Sequence, residues 1–153
     1  MPGRRITAIA LAVGLAMIVP AGMGRAQEDS RELVSLPPMM RAHMLSNMRD
    51  HLKALNAILD SLSRGDVDAA AATAEKRLGL SSMALHGSSH LAAYMPDGMK
   101  AIGLQLHKAA SRFVIVAKNA ELEPDRKALH DTYAALKEIT DACIACHDAY
   151  RLR

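Results

Sequence analysis

Apolar residues recur in steps of three and four along most of residues 38–150, the spacing of one face of an α-helix. The first such run begins near Pro38, a residue suited to an opening helical turn, and extends to about Ser63. Leu45, Met48, Leu52, Leu55, Leu59 and Leu62 form its seam, in the manner of a coiled coil, and Gly65 ends it. A shorter second run has Asp66 as its cap, Val67, Ala71, Ala74 and Leu78 as its seam and Gly79 as its stop. The third starts near Pro96-Asp97 and carries Met99, Ile102, Leu106, Ala109, Phe113, Val116 and Ala120. The fourth starts at Pro124 and carries Leu129, Tyr133, Leu136, Thr140, Cys143, His147 and Tyr150. No convincing strand pattern accompanies them. Four amphipathic helices with mostly short connections predict an all-α chain folded as an antiparallel four-helix bundle. The exception is the Leu80–Met95 connection, which is long, rich in serine and long enough to hold a helical turn.

Composition agrees with helices. There is no Trp, one Phe and three Tyr, while Met is used ten times. The N-terminal residues read differently. Arg4 and Arg5 precede a short apolar run from Ile6 to Pro20, and Gly24-Arg25-Ala26 offers small residues at −3 and −1 of a cleavage site. The run is shorter than the roughly 20 residues of a membrane span. Residues 1–26 are therefore expected to be a cleaved secretory signal rather than a retained anchor. Residues 27–37 are then an N-terminal extension and 38–153 the helical domain. Removing Arg4, Arg5 and Arg25 from the 19 basic residues leaves 16, against 16 acidic ones. A near-neutral mature chain gives no reason to expect nucleic acid or an anionic membrane surface as partner, nor stable membrane insertion once the signal is cut. There is no glycine-rich phosphate loop, no serine-hydrolase elbow and no repeat of solenoid length. No acid/base pair or nucleophile argues for an enzyme.

The chemistry concentrates near the C-terminus, in Cys143-Ile144-Ala145-Cys146-His147. C-x-x-C-H is the attachment site of a c-type haem. Both thiols add across the vinyl groups as thioethers, and the histidine supplies an axial nitrogen. On a helix, positions i, i+3 and i+4 share one face, so the three side chains can meet one side of a porphyrin. These are the only two Cys in the chain. A disulfide between them would close a very small loop, a zinc site would need further ligands, and a thioredoxin-like motif would need a βαβ context. One covalent haem c is the expected cofactor. Haem c is attached after export, so the motif and the signal both imply the periplasm.

The tail Cys-Ile-Ala-Cys-His-Asp-Ala-Tyr-Arg resembles the C-terminal signature of the cytochrome c′ family, the class II c-type cytochromes. The resemblance covers nearly the whole mature chain in helix order and length. It implies an up-down-up-down bundle with one haem near the C-terminus and His147 as proximal iron ligand. It also implies that the first helix covers the opposite face, with an apolar side chain in gas-binding members and Met in low-spin ones. In an antiparallel bundle the N-terminal half of the first helix lies level with Cys143–His147. Met48 is the first distal candidate, from its seam position and its distance to Gly65. Met44, one turn earlier, is the alternative if Arg41 is the arginine preceding the family's distal residue. Leu45, no ligand at all, or His43 or His51 stay open. Arg151, placed one turn beyond His147, is expected against the proximal face or a propionate, and Arg41 and Arg49 are further propionate candidates. Met83, His86, His90, Met95 and Met99 come from the long connection to the same end. His107 and His130 are read as surface residues.

The expected function is electron carriage among periplasmic redox partner proteins. The alternatives are a five-coordinate protein that binds NO or CO, or a haem protein whose Met/His end handles copper. Family members often dimerise through their first two helices, so the resemblance allows a homodimer.

Overall fold

The computed structural model describes residues 28–153; the expected signal, residues 1–26, lies outside them. The architecture is predominantly helical. A short strand, β1 (Glu32–Val34), leads into α1 (Pro38–Ser63) and α2 (Val67–Arg77). The connection that follows holds two 3-10 turns, Leu80–Ser82 and Ala92–Tyr94, around the single-turn α3 (Ser88–Leu91). Then come α4 (Asp97–Leu122), α5 (Arg126–Ala149) and β2 (Tyr150–Leu152). No described helix is long and apolar enough to cross a membrane.

Local chemistry sets the helix ends. Pro38 opens α1, and Gly65, at φ +74°, closes it in a left-handed conformation that costs a residue with a Cβ about 1 kcal/mol. Asp66 caps α2 by accepting from the Ala69 amide at 2.9 Å. Asp125 caps α5 by accepting from the Ala128 amide at 2.6 Å, so that helix begins two residues after the expected Pro124.

Packing follows the order α1, α2, α4, α5, each against the next, while α1 and α5 barely touch. The deep core joins Ile58, Leu78, Phe113 and Ile139 to alanines from every long helix, among them Ala54, Ala74, Ala110 and Ala135. The expected seams need correction here. In α1 the buried stripe is Met44, Asn47, Ala54, Ile58 and Ser61, whereas Leu52 and Leu59 are exposed. In α5 it is Thr132, Ala135, Leu136, Ile139 and Ala142, whereas Leu129 and Tyr133 are exposed. Both stripes are turned by about one residue. Alanine and serine let helices approach closely, so they occupy the contact lines, and the large leucines border the gap between α1 and α5.

The two strands are also unforeseen. β1 and β2 pair in parallel, Glu32 with Tyr150 through Val34 with Leu152. Three residues are too few to display an alternating pattern. The ladder fastens the N-terminal extension to the C-terminus. A second, methionine-rich cluster (Val34, Leu36, Met44, Leu91 and Met99) fills that end of the molecule.

Candidate functional site

The gap between α1 and α5 opens into a cavity of about 650 Å³. That lies within the roughly 300–1,000 Å³ of pockets that bury small molecules and cofactors. Cys143, Cys146 and His147 line it from α5, and Met44 and Met48 from α1. The helical spacing thus turns the three C-x-x-C-H side chains toward one space. They do not lie on the deep stripe, as their place in the expected seam implied. Both Cys are half-buried and His147 is exposed, because the face they occupy borders the cavity rather than another helix.

The thiols are unbridged. Burial pushes both above the ordinary thiol range, and at Cys146 the neighbouring Cys143 adds to it. Reactive dithiols need the opposite, a thiol pKa lowered by nearby positive charge or a helix N-terminus. These two are neutral thiols facing an apolar space. Cys146 packs against the methionine-rich cluster together with Met48, while Met44 is itself a buried member of it. Both thioethers therefore border the cavity. Met44 is the more deeply enclosed, at 5 % exposure, and Met48 is partly open.

Three arginines stand at this end. Arg41 lines the cavity. Arg49 does not: it is an exposed residue of α1 outside the lining. Arg151 also lines the cavity, but not from one turn further along the helix. α5 stops at Ala149, Tyr150 takes an extended conformation (φ −131°, ψ 148°), and Arg151 belongs to β2. Its Nε donates to the Arg31 carbonyl at 3.3 Å and lies 3.5 Å from Asp29. Arg31 escaped the sequence reading altogether. It comes from the N-terminal extension, is held by Asp29 at 2.8 Å, and donates to the His147 carbonyl at 3.3 Å. Only the strand pairing of residues 32–34 with 150–152 brings it there. A Cβ at Gly98 would run into the Tyr150 hydroxyl, so this glycine lets the start of α4 sit beneath the last residues.

The long connection splits. Met95 and Met99 line the cavity, whereas Met83 and His90 do not. His86 lies outside the lining but turns toward His51 and His107, which do line the cavity, with ring centroids 4.5 Å and 5.4 Å away. Asn47 pins this stretch to α1 by donating to the His86 carbonyl at 2.8 Å. His107 is no surface residue. It is 8 % exposed, and its Nδ1 lies 2.8 Å from the Leu78 carbonyl. Its helical position gave no sign of this, because the partner carbonyl belongs to the irregular end of α2.

Burial lowers the His51 imidazole from 6.5 to about 4, with repulsion from His86 and His107 adding to it. Asp50 opposes the shift and Arg77 reinforces it. His86 is lowered too, again first by burial. An unfolded chain takes up a proton at His51 below pH 6.5, while the folded protein resists until about pH 4. This contribution to stability is therefore full above pH 6.5 and is lost as the pH falls toward 4. Between pH 7 and pH 5, His51 alone is expected to cost about 2 kcal/mol of unfolding free energy. Urea unfolding at the two pH values checks this, since His51→Leu should remove that part of the difference.

No family model matches the chain, and no curated protein or solved structure is found similar to it.

Proposed function

We propose that the mature chain is an exported, single-haem c-type cytochrome that carries electrons in the periplasm. In this reading the long helices form an up-down-up-down four-helix bundle around one covalent haem c. Cys143 and Cys146 hold it by thioether bonds, His147 provides the proximal nitrogen, and Met48, or Met44 in its place, provides the distal thioether. When bound, the group supplies a one-electron couple at iron, with a potential tuned by axial ligands and burial.

The observation that carries the reading is the convergence of Cys143, Cys146 and His147 on one large, mostly apolar cavity that also has methionine thioethers in its wall. Cys143 and Cys146 would hold the group by thioether bonds, each thiol supplying the sulfur and the hydrogen that saturate one vinyl group. The chain's own residues then have separable tasks. The apolar lining excludes water, Arg41 and Arg151 offer positive charge to carboxylates, and Arg31 steadies the end of α5 at His147. Electron transfer makes and breaks no substrate bond, so the partners are redox proteins that approach the open side of the cavity.

An absorption spectrum of the holoprotein tests the ligand set. A Met/His pair gives sharp low-spin bands. Met48→Ala is expected to convert the spectrum to high spin and admit CO, with Met44→Ala leaving it low spin; the opposite pattern assigns Met44. A high-spin, CO-responsive spectrum in the unaltered protein would favour the gas-binding alternative over electron carriage. A low-spin spectrum that survives both substitutions would remove the thioether assignment.

A further inference from the structure

Three imidazoles meet where α1, the long connection and α4 come together. His51 and His86 have ring centroids 4.5 Å apart and meet edge to face; His86 and His107 are 5.4 Å apart and stacked; His51 and His107 are 6.2 Å apart and perpendicular. A carbonyl only accepts hydrogen bonds, so the 2.8 Å contact from His107 Nδ1 to the Leu78 oxygen places the ring proton on Nδ1 and leaves a lone pair on Nε2. Ser82 Oγ, which donates to the Gly79 carbonyl at 2.7 Å, stands 3.4 Å from the same Nδ1. A metal-binding histidine is held in this manner, its second nitrogen fixed by a carbonyl or carboxylate. His51 Nε2 and His86 Nδ1 are buried and have no hydrogen-bond partner. Leaving a buried polar atom without a hydrogen bond is costly, and here two of them share one cluster.

We propose that His51, His86 and His107 form a binding site for one late divalent transition-metal ion, Zn²⁺ or Cu²⁺, distinct in its ligands from the C-x-x-C-H constellation although His51 and His107 border the same cavity. Imidazole nitrogens suit these ions and bind them at about 2.0–2.1 Å. Three such rings around a tetrahedral ion have centroids about 5 Å apart by simple geometry; the 4.5 Å and 5.4 Å separations lie on either side of that value, and the 6.2 Å between His51 and His107 must shorten. As they stand, no three His, Cys, Asp or Glu side chains among the described residues are placed to hold a metal ion. Closure therefore requires ring rotation. Turning His51 Nε2 and His86 Nδ1 toward an ion breaks no hydrogen bond at either atom, while His107 stays anchored to Leu78. Burial keeps His51 and His86 unprotonated at neutral pH, so their lone pairs are available. Asp50 is a nearby negative charge acting on the His51 and His86 rings, and it is itself paired with Arg77 at 3.7 Å and Lys53 at 3.6 Å. The site shares His86 and the first helix with the Met/His copper site considered from sequence, but His107 takes the place of the thioethers, and Met83 and His90 belong to neither the cluster nor the cavity.

The test uses the mature holoprotein without a polyhistidine tag, treated with chelator and titrated with Zn²⁺ by calorimetry. One ion per chain is expected. His51→Gln and His86→Gln should each weaken binding more than about tenfold, while the exposed His130→Gln leaves it unchanged. Cu²⁺ added to the same protein should give an electron paramagnetic resonance spectrum with hyperfine structure from several nitrogens. His51→Gln and His86→Gln remove no hydrogen bond at the orphan nitrogens, and far-ultraviolet circular dichroism verifies that both fold. Absent saturable binding, binding equally weakened by His130→Gln, or a copper spectrum without nitrogen coupling would overturn the proposal. The readout does not pass through the haem bands, so its failure leaves the cytochrome reading standing; if the mature chain carries no haem, the same titration of that chain still decides the metal site.

Discussion

Mature protein with both Cys143 and Cys146 replaced by serine is expected to carry no covalent tetrapyrrole after maturation in a host competent for c-type haem attachment. A hydroxyl at these positions does not add to a vinyl group under conditions where a thiol does, so both thioether bonds are lost. Cys143→Ser or Cys146→Ser alone removes one bond and leaves the other, and each single variant should retain a covalent adduct at reduced yield. The double variant should keep most of its helix content in the cold, because Ala54, Ile58 and Phe113 lie in the deep core and not in the cavity wall. Denaturing electrophoresis with haem staining, together with intact mass, reads the result directly. Covalent tetrapyrrole on the double serine variant would show that attachment occurs elsewhere.

Phe113→Ala is expected to destabilise the protein by about 3–5 kcal/mol. Phe113 is fully buried, is the only phenylalanine in the chain, and lies in the cluster that joins all four long helices. Several of its cluster partners are alanines, including Ala54, Ala74, Ala110 and Ala117. Alanine has no side-chain rotamers with which to fill a void, so the cavity left by the ring can close only if the backbone moves. Against the 5–15 kcal/mol typical of a whole domain, such a loss lowers the melting temperature by about 10–20 °C. Leu122→Ala is the control. Leu122 is 80 % exposed near the end of α4, and its loss should stay within about 0.5 kcal/mol. Thermal unfolding of the two variants checks both values, and a small effect at Phe113 would mean that the alanine-rich core is loosely packed.

What the chain made legible follows physical range. Pro38, Gly65 and Asp66 act on their own backbone neighbours, and each marks a boundary where sequence alone placed it. The i, i+3, i+4 spacing of Cys143, Cys146 and His147 is equally local, and the three side chains do reach one cavity. The direction in which each helix faces was less readable. Large apolar residues dominated the periodic pattern, but Ala54, Ser61, Ala135 and Ala142 make the close contacts, and Leu52, Leu59 and Tyr133 point to the gap or to solvent. Features assembled across long sequence separations were hidden. Arg31 meets His147 through a three-residue ladder with no pattern of its own. His51, His86 and His107 come from three separate segments, and the bond that buries His107 depends on where the carbonyl of Leu78 ends up.

The proposed cytochrome rests on a porphyrin covalently anchored to the last helix. Intact mass of the exported, mature chain, taken with its alkaline pyridine spectrum, tests it most directly. The expected mass is that of the polypeptide from residue 27 onward plus one haem, with the reduced-band position of a haem whose two vinyl groups are both saturated. A colourless protein of unmodified mass, recovered from a host that attaches haem to a known c-type cytochrome in parallel, would contradict it.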